Sequence, residues 1–318
     1  MHRVFIDGQA GTTGLELASH LANRPDLELI VIDGALRKDQ NRRRELSNAA
    51  DVVVLCLPDE AAIEAVALID NPDTRVLDAS TAHRVADGWV YGLPELCPGQ
   101  RDRIRGAKRI SNPGCYPTGF LLSVRPLIDA GVLPAALPLS MHAVSGYSGG
   151  GRSMIDAYRA RDAEGPEARF PARSYGLTLA HKHVPEMHRY SGTARVPLFV
   201  PMVAHYYKGM LDHVPLFNAE LEGIAHAKDV HAMLEQRYRD EPCITVLPFA
   251  GGDALDNGYL SATAANGTNR VDMLVFGDAT RTLIVTRYDN LGKGAAGAAV
   301  QNLNLLLGAP ELCGLTLS

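Results

Sequence analysis

The chain opens on a short β-prone run, Val4–Asp7, which passes directly into Gly8-Gln9-Ala10-Gly11-Thr12-Thr13-Gly14 and then into Leu15–Ala22 at helical spacing. Strand, glycine loop and helix in that order leave few folds open. A first glycine makes the tight turn, a second lets the backbone approach a bound anion, and a third lets the helix pack closely on the strand. Gly8, Gly11 and Gly14 stand in those three places. The helix that follows aims its unpaired N–H groups and the positive end of its dipole at whatever the loop cradles, as a pyrophosphate site requires. The spacing is GxxGxxG rather than GxGxxG, so a plain turn is the competing reading and the context must decide. Three more strand-like runs follow, Leu27–Ile32, Val52–Leu57 and Arg75–Leu77, separated by helix-compatible stretches such as Asp59–Ile69. Alternating strand and helix predicts an α/β Rossmann-type doubly wound parallel sheet that binds a dinucleotide.

Two features pull in opposite directions over which nicotinamide cofactor binds. Asp33 ends the second strand about where an acid holds a ribose 2′-hydroxyl, which suits NAD. Arg37 and Lys38 follow within a few residues and suit a 2′-phosphate instead. Two cations outweigh one acid, and the reading taken is NADP(H), with loop charges of no cofactor role as the alternative.

Residues 111–118, Ser-Asn-Pro-Gly-Cys-Tyr-Pro-Thr, place Cys115 where a bend forced by Pro113 and Gly114 hands over to an apolar helix-like run, Thr118–Asp129. Pro117 suits the first helical position. A helix N-terminus lowers a thiol pKa, and the thiolate is the nucleophile. A small buried residue in a turn is the alternative. The other cysteines, Cys56, Cys97, Cys243 and Cys313, are scattered, and no CxxC pair occurs. Five free thiols fit a reducing cytoplasm better than a disulfide framework or a metal site. Cys56 lies inside the apolar run Val52–Leu57 and is expected to be inert.

Composition narrows the partners. A net charge of −5 argues against a nucleic-acid binder, and Arg42-Arg43-Arg44, followed by Glu45, reads as a solvated helix face. No apolar run approaches the roughly 20 residues a membrane helix needs. The first residues enter a strand without a signal peptide's long apolar stretch.

Beyond Leu133 the pattern changes. Leu139–Val144 reads as a strand ending in Ser145-Gly146-Tyr147-Ser148-Gly149-Gly150-Gly151-Arg152. So many glycines beside an arginine suggest a loop whose backbone approaches an anionic ligand that Arg152 pairs. His181-Lys182-His183-Val184-Pro185-Glu186 lacks partners at metal-ligand spacing, so acid–base chemistry with Glu186 orienting an imidazole is the better account. Pro185 suits the first turn of a helix through Met187–Tyr190, which favours His183 as the acid–base group and leaves His181 for substrate contact. Val196–Ala204, Ile244–Leu247, Arg270–Phe276 and Leu283–Arg287 are strand-like, Gly277–Thr280 marks a hairpin, and Lys228–Tyr238 a helix. Strands with few crossovers predict an α+β catalytic and dimerisation domain.

Together these segments closely resemble N-acetyl-γ-glutamyl-phosphate reductase in its shorter bacterial form, within the wider group that includes aspartate-semialdehyde dehydrogenase. The resemblance is carried by the Gly8–Gly14 loop, Leu55–Asp59, Leu77–Arg84, Tyr91–Leu96, Asn112–Thr118, Ser145–Arg152, His181–Glu186 and Asp289–Gly297. The cysteine motif and Tyr91-Gly92-Leu93-Pro94-Glu95-Leu96 are specific to that family, whereas the glycine loop is not. Asp78–Arg84 departs from the longer form's Ser-Ala-Asp-Phe-Arg. The resemblance implies reduction of N-acetyl-glutamyl 5-phosphate to the 5-semialdehyde with NADPH, through a thioester on Cys115, in arginine biosynthesis. It implies cofactor contacts from Gly8, Gly11, Thr12, Thr13, Gly14, Arg37, Lys38, Ser80 and Asn290, and substrate contacts from Asn112, Ser145 and Arg152. It also implies a cytoplasmic homodimer or homotetramer. The nucleotide domain would comprise 1–116 with 292–318, because the C-terminal helix returns to it, and the catalytic domain 117–291. A reductase of aspartyl or aminoadipyl phosphate, or a nucleotide-sensing protein without catalysis, are the competing readings.

Overall fold

The computed structural model describes residues 1–318, and these divide into two compact units. The first comprises Met1–Pro94, Pro98–Gly114 and Ala295–Leu315; the second comprises Glu95–Cys97, Cys115–Gly294 and Thr316–Ser318.

In the first unit six strands form one parallel sheet: β1 (His2–Asp7), β2 (Leu27–Ile30), β3 (Val52–Leu55), β4 (Arg75–Asp78), β5 (Val90–Tyr91) and β6 (Arg109–Ser111). Their order is β2-β1-β3-β4-β6-β5, so the direction of winding reverses between β1 and β3. Helices α1 (Thr12–Leu21), α2 (Gln40–Ala49), α3 (Asp59–Ala67) and α4 (Gln100–Gly106) cover both faces. The pleat of β1 sorts them. Val4 and Ile6 pack with Leu17 and Leu21 of α1 and Ile104 of α4, together with Val300 and Leu303 of the C-terminal helix. Phe5, between them, packs on the opposite face with Leu46 of α2 and Ala62 and Ala65 of α3. Near-continuous apolar strands such as Val52–Leu55 are what a sheet buried on both sides demands. The sheet is wider than the four strands the sequence suggests. Val90–Tyr91 and Arg109–Ser111 are two and three residues long, too short to carry a period.

Arg43 corrects the expectation of a solvated basic face. Arg42, half-buried, and Arg44, exposed, are paired with Glu45 and Asp70. Arg43 turns inward instead, and its guanidinium donates two hydrogen bonds, of 2.9 and 2.7 Å, to Asp7 Oδ2.

The second unit is built on a seven-stranded mixed sheet. Helix α5 (Cys115–Asp129) leads in, followed by β7 (Ser140–Gly146), α6 (Gly151–Glu164), β8 (Arg173–Ser174), α7 (Val184–Ser191), β9 (Leu198–Ala204), β10 (Met210–Phe217), α8 (Ala227–Tyr238) and β11 (Ile244–Val246). A small ribbon, β12 (Leu255–Asp256) with β13 (Tyr259–Leu260), precedes the long hairpin β14 (Val271–Gly277) and β15 (Arg281–Tyr288). Strand order is β11-β14-β15-β10-β7-β9-β8. One face carries Leu211, Leu274 and Val285, with Val144 and Phe276 against them. Period two turns the neighbouring Asp212 and Thr286, cross-strand partners in the β10–β15 ladder, to the other face, where α5 packs. The chain then returns to the first unit with α9 (Gly297–Leu307).

Helix α5 starts at Cys115, three residues before the start expected at Thr118, so Pro117 is its third residue rather than its first. The first four N–H groups of a helix have no intrahelical partner, so proline is tolerated anywhere in that turn. Pro126 lies deeper and removes the N–H that would have bonded the Leu122 carbonyl. The Tyr238 hydroxyl of α8 donates to that carbonyl at 2.6 Å and closes the gap.

Candidate active site

The glycine loop lies at the point where the winding of the first sheet reverses, at the carboxyl ends of β1 and β3, where open α/β sheets bind their ligands. Gly8 has φ +90°, and a Cβ there would come within 3.0 Å of the Cys56 carbonyl. A Cβ on Gly14 would strike Gly8 and Gln9 equally closely. The turn closes by a 3.0 Å bond from the Gly11 N–H to the Gly8 carbonyl. Gly11 caps α1 without a side-chain acceptor, so the first N–H groups, of Thr12, Thr13 and Gly14, belong to a helix start that no side chain caps. These residues fit a dinucleotide's phosphates. Asp33 accepts from the Ala35 N–H at 2.8 Å, and Arg37 and Lys38 lie exposed in the turn beyond it. Ser80 is buried, its hydroxyl donating to Asp78 Oδ2 at 2.7 Å, and His83 Nδ1 bonds the same oxygen at 2.6 Å.

Cys115 is the half-buried first residue of α5, in the second unit. Three features fix its turn. A Cβ on Gly294 would lie 2.9 Å from the Cys115 Cβ, so only glycine lets that segment come so near. Next to it Lys293 Nζ is 2.8 and 2.9 Å from the two Glu95 oxygens, in a fully buried pair. The Tyr288 hydroxyl donates to the Cys115 carbonyl at 2.7 Å and accepts from the Gly119 N–H at 3.0 Å, so it bridges the first turn of the helix. Cys56, by contrast, follows β3 rather than lying inside it. Burial, with the Asp78 and Asp7 carboxylates near, pushes its thiol up to about 12.

Tyr116, next to Cys115, gathers the histidines. Its ring centroid is 6.0 Å from that of His181 and 5.8 Å from that of His183, while the two imidazoles are 4.8 Å apart. The Tyr175 hydroxyl donates to the Tyr116 hydroxyl at 2.9 Å. His183 is the buried N-cap residue of α7, and its N–H donates to His181 Nδ1. Pro185 and Glu186 occupy the first turn, with Glu186 buried.

The remaining residues expected at the site are placed as follows. The run from Ser145 to Arg152 is not an open loop but the end of β7, a 3-10 turn over Tyr147–Gly150 and the start of α6. Gly146 lies against the chain's own backbone: a Cβ there would strike the Tyr206 and Tyr207 carbonyls, and its N–H donates to Gly209. Ser145 is buried, with its hydroxyl on the Gly146 carbonyl. Arg152 is exposed, its Nε 3.8 Å from Asp156. Asn290 ties the Ser148 hydroxyl, at 2.9 Å, to the Gly209 N–H, at 2.8 Å. Asn112 belongs to the first unit, where its amide donates to the Ala295 carbonyl and accepts from Asn302. Tyr288, Asp212 and Tyr175 are absent from the sequence reading. Strand β10, which carries Asp212, is missing from it as well, because Asp212 and His213 interrupt its apolar residues.

Residues 115–290 match the family model described as semialdehyde dehydrogenase, dimerisation domain, and residues 33–105 match that of its NAD binding domain. N-acetyl-gamma-glutamyl-phosphate reductase 2 of Nostoc sp. is 51% identical over 318 residues, 98% of this chain and 99% of its own length. The chain belongs to the N-acetyl-γ-glutamyl-phosphate reductase family. Another reductase of that name, from Burkholderia orbicola, is 48% identical over 308 residues, 96% of this chain and 97% of the relative. Aspartate semialdehyde dehydrogenase II of Vibrio cholerae shares the reductase's fold with a TM-score of 0.74 at 18% identity, covering 97% of this chain and 98% of that one. No helix is long and apolar enough to cross a membrane.

Proposed function

We propose that the chain reduces N-acetyl-L-glutamyl 5-phosphate to N-acetyl-L-glutamate 5-semialdehyde and phosphate with NADPH, as a step of arginine biosynthesis. The observation that carries this reading is Cys115 at the first position of α5, next to a tyrosine that packs against two histidines, in a chain about half identical to reductases of that name. The Cys115 thiolate attacks the acyl carbonyl and phosphate leaves, forming a thioester and splitting one hard step into two. N–H groups of the helix start face the developing oxyanion. A dinucleotide held by the glycine loop would supply the hydride that takes the thioester to a thiohemiacetal. Collapse of the thiohemiacetal frees the aldehyde and returns the thiolate. His183, oriented by Glu186, moves the proton, and His181, Asn112, Ser145 and Arg152 contact the substrate.

The glycine loop, Thr12, Thr13, Ser80 and Asn290 hold the cofactor, and Arg37 and Lys38 select its 2′-phosphate. Catalysis runs in a cytoplasmic homodimer or homotetramer, and the matched dimerisation domain supports the association. Rapid mixing with the acyl phosphates of N-acetylglutamate, aspartate and N-acetyl-aminoadipate tests the proposal. One equivalent of phosphate should be released from the first alone when nicotinamide is omitted, and Cys115→Ser should abolish it. A burst with another acyl phosphate, or one that survives Cys115→Ser, overturns it.

A further inference from the structure

The Tyr288 hydroxyl makes three polar contacts with one proton to give. The Cys115 carbonyl only accepts and the Gly119 N–H only donates, so the phenol donates to the first and accepts from the second. Its third neighbour is Asp212 Oδ2, within hydrogen-bond distance. The phenol proton is already used on Cys115, so this contact is a bond only if the carboxyl supplies the proton. An ionised Asp212 would take the phenol proton and leave two oxygen lone-pair sets facing each other at 2.7 Å over the Cys115 carbonyl.

The surroundings agree. Asp212 is 1% exposed, and a Cβ on Gly119 would fall within 3.0 Å of Asp212 Oδ2, Thr286 Oγ1 and the Tyr288 hydroxyl, so the helix backbone itself closes over the carboxyl. The ionisable groups around it are the phenols of Tyr288 on β15, of Tyr116 on α5, and of Tyr175 and Tyr206, with the Cys115 thiol beyond. Burial without a cation disfavours the charged form and raises the carboxyl well above the usual range.

We propose that Asp212 serves this enzyme as a neutral carboxylic acid, a positioning residue whose proton lets the Tyr288 hydroxyl grip the Cys115 carbonyl and hold the nucleophile's turn. The proposal rests on Cys115 as the nucleophile. It also accounts for a carboxyl so close to a group that must ionise: a second negative charge there would oppose the thiolate, whereas a protonated acid does not.

Infrared difference spectra of the full chain, wild type minus Asp212→Asn at neutral pH, should show a protonated-carboxyl C=O band. A carboxylate pair in its place overturns the proposal. Iodoacetamide alkylation of Cys115 against pH gives the second readout. Asp212→Asn keeps a neutral donor of the same shape and should hold the wild-type midpoint. Tyr288→Phe should raise the midpoint by about half a unit or more, a roughly threefold loss of thiolate below it. A midpoint that falls in Asp212→Asn reveals a removed charge and refutes the neutral acid. If turnover survives complete alkylation of Cys115, the nucleophile assignment fails while the infrared result stands apart.

Discussion

Replacing Asp212 by Asn tests the buried carboxyl through folding alone, without substrate. A carboxyl protonated in the folded chain and ionised in the unfolded one takes up a proton on folding. Its stabilising contribution is therefore complete below its ordinary value of 3.8 and is lost as pH rises toward the elevated folded value. The loss runs at about 1.4 kcal/mol per pH unit for one proton. Asparagine keeps the shape and the donor but has nothing to titrate. The stability of Asp212→Asn relative to wild type should then grow as pH rises above the ordinary carboxylate range, at up to that slope, and should level off where the folded carboxyl finally ionises. Urea denaturation of both proteins at half-unit intervals measures it, with the m-value confirming that the same surface unfolds. A gap that stays flat from pH 4 to 8 would mean the carboxyl is ionised in the folded chain, and the proton count at Tyr288 would be wrong.

Three further outcomes are expected. Tyr238→Phe should cost about 1–3 kcal/mol by orphaning the Leu122 carbonyl, and Pro126→Ala in the same chain should recover much of that by restoring an N–H donor, which a denaturation double-mutant cycle reads directly. Arg37→Ala and Lys38→Ala should each weaken NADPH by about 1.5–3 kcal/mol and NADH far less, and equal losses in titrations of both would give the selectivity to Asp33. His183→Asn should lower kcat and remove a limb of the pH–rate profile, whereas His181→Asn should mainly raise KM; the reverse pattern exchanges their roles.

The first sheet is written locally. Val4–Asp7 with its glycine loop and the apolar run Val52–Leu55 announce parallel strands, because strands buried on both faces cannot alternate. Val90–Tyr91 and Arg109–Ser111 escape notice because two or three residues hold no pattern and their pairing is supplied by β4. Cys115 is readable from the Pro-Gly bend and the apolar run behind it. The device that holds it is not. Tyr288 and Asp212 meet α5 only through the β10–β15 register, which residues on either strand cannot reveal alone. The stretch from Ser145 to Arg152 reads as an open loop because local sequence does not show how closely Gly146 lies to the Tyr206 and Tyr207 carbonyls, 60 residues on.

The bridge from Tyr288 to the Cys115 carbonyl spans 173 residues of sequence, and that distance is also a delay. At ribosomal speeds of about 5–20 residues per second, the cysteine leaves the tunnel roughly 9 to 35 seconds before the tyrosine that fixes its turn. A chain released early, short of β15, would carry the cysteine without the phenol that spans its turn. The turn at Cys115 is thus settled only after 173 further residues have been made.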